Sequence, residues 1–190
     1  AGDPHYRQEQ VHWYADAASF VRGKTYRRSV KEFLQLRSNH EVVALVEQLV
    51  ADGRDTFRVQ GPIRFRRTQE GWKDADLPFL QIEGTRSVAK VTHRRLLPLA
   101  AELLRRAEDA RQRLSALYGW RPRHPVTLKL YGDKDWFRQS VKLSLPAWAA
   151  GWHEDGESIK LLADGRGFLR DEVKRFYHSA VIHEMVHQML

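Results

Sequence analysis

Cysteine is absent from the 190 residues. That excludes disulfide frameworks, thiolate metal sites and cysteine nucleophiles together. It leaves the compartment open, because a secreted domain of this size can do without disulfides. The chain opens Ala1-Gly2-Asp3 rather than with methionine, which reads as a processed or trimmed product with any signal peptide upstream. No apolar run approaches the roughly 18–20 residues that a membrane helix needs. Disorder is excluded from the other side, since 42% of the residues are hydrophobic. What is left is one large or two small globular domains.

Charge of one sign is in excess. Lys and Arg number 32 against 24 Asp and Glu, a net +8, divided between the halves as +5 and +3. Such a balance raises a nucleic-acid or anionic-membrane reading. The densest stretches are Arg22–Lys31 and Arg64-Phe-Arg66-Arg67, and no nucleic-acid signature accompanies them. They read as solvated faces, and no nucleic-acid partner is expected.

The periodicity predicts an α+β fold with a change of character near residue 83. A helix is expected over 3–23, with Asp3 as cap, Pro4 at the first position and Gly23 as stop. Helical spacing continues over 25–37. It returns from a Ser38/Asn39 cap through Val42, Val43, Leu45, Val46, Leu49 and Val50 to Gly53. Alternation then predicts strands at 56–60 and 63–68, split by Gly61-Pro62, and another around Phe79–Ile82. Residues 1–83 thus read as an accessory domain of helices on a small antiparallel sheet, with His5, His12 and His40 as scattered surface residues. Beyond it, residues 84–190 read as strand 87–92, a long helix 96–118 with Pro98 in its first turn, strand 126–131, a short helix 133–140, strand 158–162 and a final helix from Asp171.

That final helix carries His183-Glu184-Met185-Val186-His187. Residues four apart on a helix differ by about 40°, so both imidazoles leave from one face, one turn apart. They can reach one Zn²⁺, with Glu184 beside them to take a proton from metal-bound water. In a chain of this composition the pattern arises by chance about 0.03 times. Its helix also carries Phe176, Ala180, Val181, Ile182, Met185, Val186, Met189 and Leu190, which reads as burial on most sides. His178 lies about 140° off the ligand face and is not expected to join the site.

From about residue 86 the chain resembles the peptidase MA-like metallohydrolases, a gluzincin-type group of zinc peptidases. The pieces that carry the resemblance are Leu117-Tyr-Gly-Trp120, Pro125–Tyr131, Trp136-Phe137, Trp148-Ala-Ala-Gly-Trp152, Ser158–Leu162 and His183–His187. It implies the upper half of a zincin-like catalytic domain, with His183 and His187 as zinc ligands and Glu184 as general base. It also implies that Ser158–Leu162 is the edge strand at the rim of a cleft. Gly151, Trp152, Ser158, Ile159, Lys160 and Leu161 would then contact an extended peptide or protein substrate, with Trp148 and Trp152 either walling the cleft or packing in a core. Such enzymes are often secreted or held at the cell surface.

Gluzincins take a third ligand, a Glu, from a helix downstream of the second His. Here only Gln188-Met189-Leu190 follow, so no third ligand is expected on this chain. His153, Glu154, Asp155 and Glu157 form a polar cluster that reads as a loop. The expectation is therefore a zinc metallopeptidase piece ending after the second ligand, with weak or absent Zn²⁺, little activity of its own, and self-association through its last helix. The alternatives are a non-catalytic interaction module with a vestigial zinc half-site and a basic nucleic-acid or membrane-surface binder.

Overall fold

The computed structural model describes residues 4–53, 55–122, 124–164 and 171–187. The expected Asp3 cap and the C-terminal Met189 and Leu190 lie outside them, as does the Phe176 side chain. The fold is α+β, and the chain groups into two compact units: Gln10–Pro78 with Asp135–Pro146, and Ala1–Glu9 with Phe79–Lys134 and Ala147–Leu190. The sequence boundary at 83/84 compares with 78/79 here, and two segments cross over: 1–9 belongs with the later part of the chain, and 135–146 with the earlier.

The first unit holds the larger part of α1 (Pro4–Phe20) and an antiparallel meander in the order β1-β2-β3-β4. Its strands are β1 (Thr25–Ser38), β2 (Glu41–Ala51), β3 (Thr56–Thr68) and β4 (Gly71–Ala75). Two expected helices, 25–37 and 38–53, are therefore strands. In β2 the apparent helical period arises because Val42, Val43, Ala44, Val46 and Val50 are all buried. A central strand covered on both faces loses its alternation, and β-branched valines favour the pleated backbone. In β1 three register shifts, at Val30/Glu32, Phe33/Gln35 and Leu36/Ser38, each break the two-residue period and mimic a longer one.

Nor does Gly61-Pro62 divide two strands. β3 runs through it, pairing Gly61 with Val46 and Pro62 with Leu45. Gly61 is needed where it stands, because a Cβ would run into the Gln139 side chain and come within 2.6 Å of the Asp135 carbonyl oxygen. The core of this unit gathers Ala17, Val59 and Leu143 with Trp13, Phe20 and Phe57. Phe20 meets Phe57 edge to face at 5.6 Å. The dense basic stretches are partly neutralised within the sheet: Arg28 pairs with Asp74 at 2.9 Å, Lys31 with Glu47 at 3.4 Å, and Arg64 and Arg66 with Glu41.

The second unit is a five-stranded mixed sheet in the order β5-β6-β7-β9-β8. β6 (Ser87–Val91), β7 (Val126–Tyr131) and β9 (Ile159–Leu162) are parallel, and β5 (Leu80–Glu83) and β8 (Gly151–Trp152) run antiparallel at the two edges. The crossover between β6 and β7 is α2 (Leu97–Tyr118), with Pro98 tolerated in its first turn. It ends at Gly119, whose φ of 68° is the left-handed cap that glycine adopts without strain. Leu99, Leu103, Leu104 and Ala107 of α2 pack with Leu128, Leu130, Ile159 and Leu161, and with Tyr177, Val181 and Met185 of α4 (Asp171–His187). α3 (Lys134–Ser140) leads out of this unit.

Candidate metal centre

Three buried residues of α4, Tyr177, Val181 and Met185, are spaced four apart and fix the helix against the sheet. The Tyr177 hydroxyl donates to the Leu162 carbonyl at 2.9 Å, tying α4 to the end of β9. With that stripe inward, His183 and His187 are carried outward, and both rings are exposed. Their Nε2 atoms lie 3.0 Å apart and their ring centroids 4.6 Å apart. Two ligands at 2.0–2.1 Å on a tetrahedral metal stand about 3.3 Å apart. The two rings meet in a direct hydrogen bond at a separation close to that of two ligands on one metal, and they supply two of the four donors that Zn²⁺ takes.

Glu184 is half-buried beside the pair. Burial raises its carboxyl above the ordinary range, although His183 and His187 act in the opposite direction. His178, excluded by the helical angle, is turned toward α2, with Nε2 3.5 Å from Glu102 Oε1. Among the described residues, no group of three metal-ligating side chains includes His183, Glu184 or His187.

The strand expected at the rim is corrected. β9 is not the edge of the sheet, because β8 pairs outside it through Gly151 with Leu161 and Trp152 with Lys160. Ser158, Ile159, Lys160 and Leu161 are buried, so their side chains are closed to a substrate. Of the expected contact residues, Gly151 and Trp152 form the edge. Trp148 is 84% exposed and belongs to no core.

The segment after β8 carries a residue whose place the sequence did not give. His153 is largely buried, and neither ring nitrogen makes a hydrogen bond of acceptable geometry. Burial brings its pKa down to about 4; the nearby Ser158 backbone and Asp155 oppose the fall, while His187 and Lys160 add to it. His153 is therefore a neutral imidazole at pH 7, within electrostatic reach of the second candidate ligand. Glu9 and Lys129 were not singled out by the sequence, and Lys160, expected at a substrate cleft, is instead buried and paired with Glu9 and Glu157. The two lysines stand inside largely apolar strands, and nothing local marks Glu9.

No family model matches the chain, and neither a curated protein nor a solved structure is significantly similar to it.

Proposed function

We propose that this chain carries the metal-binding half of a zinc-dependent peptide hydrolase, with His183 and His187 as ligands and Glu184 as general base. The observation that supports it best is the 3.0 Å approach of the two exposed Nε2 atoms on one face of α4. When bound, the zinc would supply a Lewis acid and a water acidified toward neutrality. The chain's own contribution is to fix two imidazoles on a helix anchored by Tyr177, Val181 and Met185, and to keep a carboxylate next to them. A carboxyl raised by burial is a better proton acceptor than an ordinary one, which suits a base working near neutral pH. The edge formed by Gly151 and Trp152 offers main-chain groups to which an extended peptide could add.

Two imidazoles leave half of a tetrahedral shell to other donors, so zinc held by these residues alone should be labile to chelators. Titration with Zn²⁺, or with Co²⁺ as a spectroscopic substitute, tests the assignment. His183→Ala and His187→Ala should each abolish binding, and Glu184→Gln should preserve it. Undiminished binding in the two alanine variants would refute the site.

A second reading, an interaction module with a zinc half-site and no turnover, is favoured by one observation: no third ligand accompanies the pair among the described residues. A form that holds zinc tightly yet cleaves nothing in a broad peptide panel would decide for it.

A further inference from the structure

The outward face of α4 carries more than the histidine pair. Among the described side chains of the helix, the exposed ones are Arg175, Ser179, Ile182, His183, Val186 and His187. At helical spacing they form one stripe, opposite the buried stripe of Tyr177, Val181 and Met185. Ile182 and Val186 each precede a histidine, so two exposed apolar side chains run beside the two imidazoles. The Nε2 atoms of the pair meet in a hydrogen bond at 3.0 Å, and two ligands on one tetrahedral ion stand about 3.3 Å apart. A small movement of either ring therefore turns the paired state into a chelating one. The pair supplies half of a zinc shell. Among the described residues, no group of three metal-ligating side chains includes either histidine.

Half a shell on an exposed helix face is self-complementary. A two-fold axis through the ion generates two further imidazoles at the same distance, and the four nitrogens complete a tetrahedron. Four protein ligands are the pattern of structural zinc, whereas a hydrolytic site keeps one position for water. The same rotation brings Ile182 and Val186 of one copy toward the α4 of the other, so apolar area is covered as the metal–ligand bonds form. Each copy also brings one Glu184 beside its histidines, which sets two carboxyl groups near one divalent ion. We propose that the exposed face of α4 is a zinc-dependent dimer interface, in which one Zn²⁺ is held by His183 and His187 of two copies of this chain. The proposal rests on the reading of these residues as zinc ligands, and it adds where the other donors come from. Such a dimer closes the position that water takes in a hydrolytic site and is an inactive form. Excess zinc gives each pair an ion of its own and releases single chains.

The test is sedimentation of the full chain as Zn²⁺ is added. The dimer fraction should rise to a maximum at one ion per two chains, then fall as zinc passes one ion per chain. At the same half-equivalent point Co²⁺ should give the strong visible absorption of a four-coordinate nitrogen shell, which weakens as further metal divides the histidines among more ions. Ile182→Ser/Val186→Ser should keep the metal but need more protein to form the dimer. His183→Ala and His187→Ala should each abolish the zinc-linked rise. If wild type binds one zinc per chain and its mass does not respond, the two-copy site is overturned while the ligand assignment stands. If wild type binds no zinc, both fall. A zinc-linked rise that survives His183→Ala would put the bridge elsewhere and overturn the proposal as well.

Discussion

At the scale of single residues, the chain places its most consequential charges in two unlike settings. His183 and His187 are exposed, and their Nε2 atoms meet in a hydrogen bond at 3.0 Å. Glu9 is buried and fully engaged, and it carries a clear pH signature. Its carboxyl, ordinarily at 4.5, is held at about 2 in the fold. A carboxyl lowered in this way stabilises the fold fully above its ordinary value and loses that contribution as pH falls from 4.5 toward 2. A displacement of this size corresponds to on the order of 3 kcal/mol. Acid unfolding followed by circular dichroism should therefore steepen in that window, and Glu9→Gln should remove the steepening while lowering stability at pH 7. A Glu9→Gln variant with an unchanged acid limb would show that other carboxylates govern it.

On the proposed reading, Glu184 is the residue whose substitution separates metal from turnover. In any form of the chain that hydrolyses peptide, Glu184→Gln should keep the zinc and lose about 10²–10⁴ in rate, because an amide cannot accept the proton. His183→Ala should lose metal and activity together.

At the scale of elements, the sequence was legible where a pattern is local and one-sided. The residues of α2 repeat at helical spacing because only one face is buried, and β7 and β9 stand out as short apolar runs. The juxtaposition of His183 and His187 could be read from sequence because two residues four apart on a helix need no knowledge of the rest of the fold. β2 was not legible as a strand, since burial on both faces erased its period. Bulges did the same to β1. β4 escaped because Gly71–Ala75 carries too few apolar residues to alternate. The Glu9–Lys129 pair spans 120 positions, and no window short enough to show periodicity contains both partners.

Two element-scale predictions follow from geometry. Gly61→Ala would force β3 away from the Asp135 carbonyl and the Gln139 side chain, at a cost of about 1–3 kcal/mol by overpacking. Chemical denaturation should show that loss, and a neutral substitution would mean that the neighbours yield freely. Ile182 and Val186 of α4 are 44% and 40% exposed on the helix that bears the histidines, an apolar surface of the kind that favours association. Sedimentation should show concentration-dependent self-association, weakened by Ile182→Ser/Val186→Ser. A strictly monomeric wild type would contradict that reading of the helix.

At the scale of the whole molecule, neither compact unit is a continuous stretch of chain. Residues 79–190 expressed alone would lack Glu9, and with it the buried ion pairs to Lys129 at 2.9 Å and Lys160 at 3.6 Å, a loss of several kcal/mol by the measure of broken buried ion pairs. That piece should be markedly less stable than the full chain, and adding back residues 1–9 at its N-terminus is the matching control.

The charge balance, which opened a nucleic-acid reading, is partly absorbed by internal pairs such as Arg28–Asp74 and Arg64–Glu41. The His183–His187 pair, by contrast, is exposed on α4. The most direct test of the central claim is equilibrium titration of the full chain with Zn²⁺. One ion per chain is expected, removable by a chelator, lost in both His183→Ala and His187→Ala, and retained in Glu184→Gln. Zinc bound equally well by wild type and both alanine variants would contradict it.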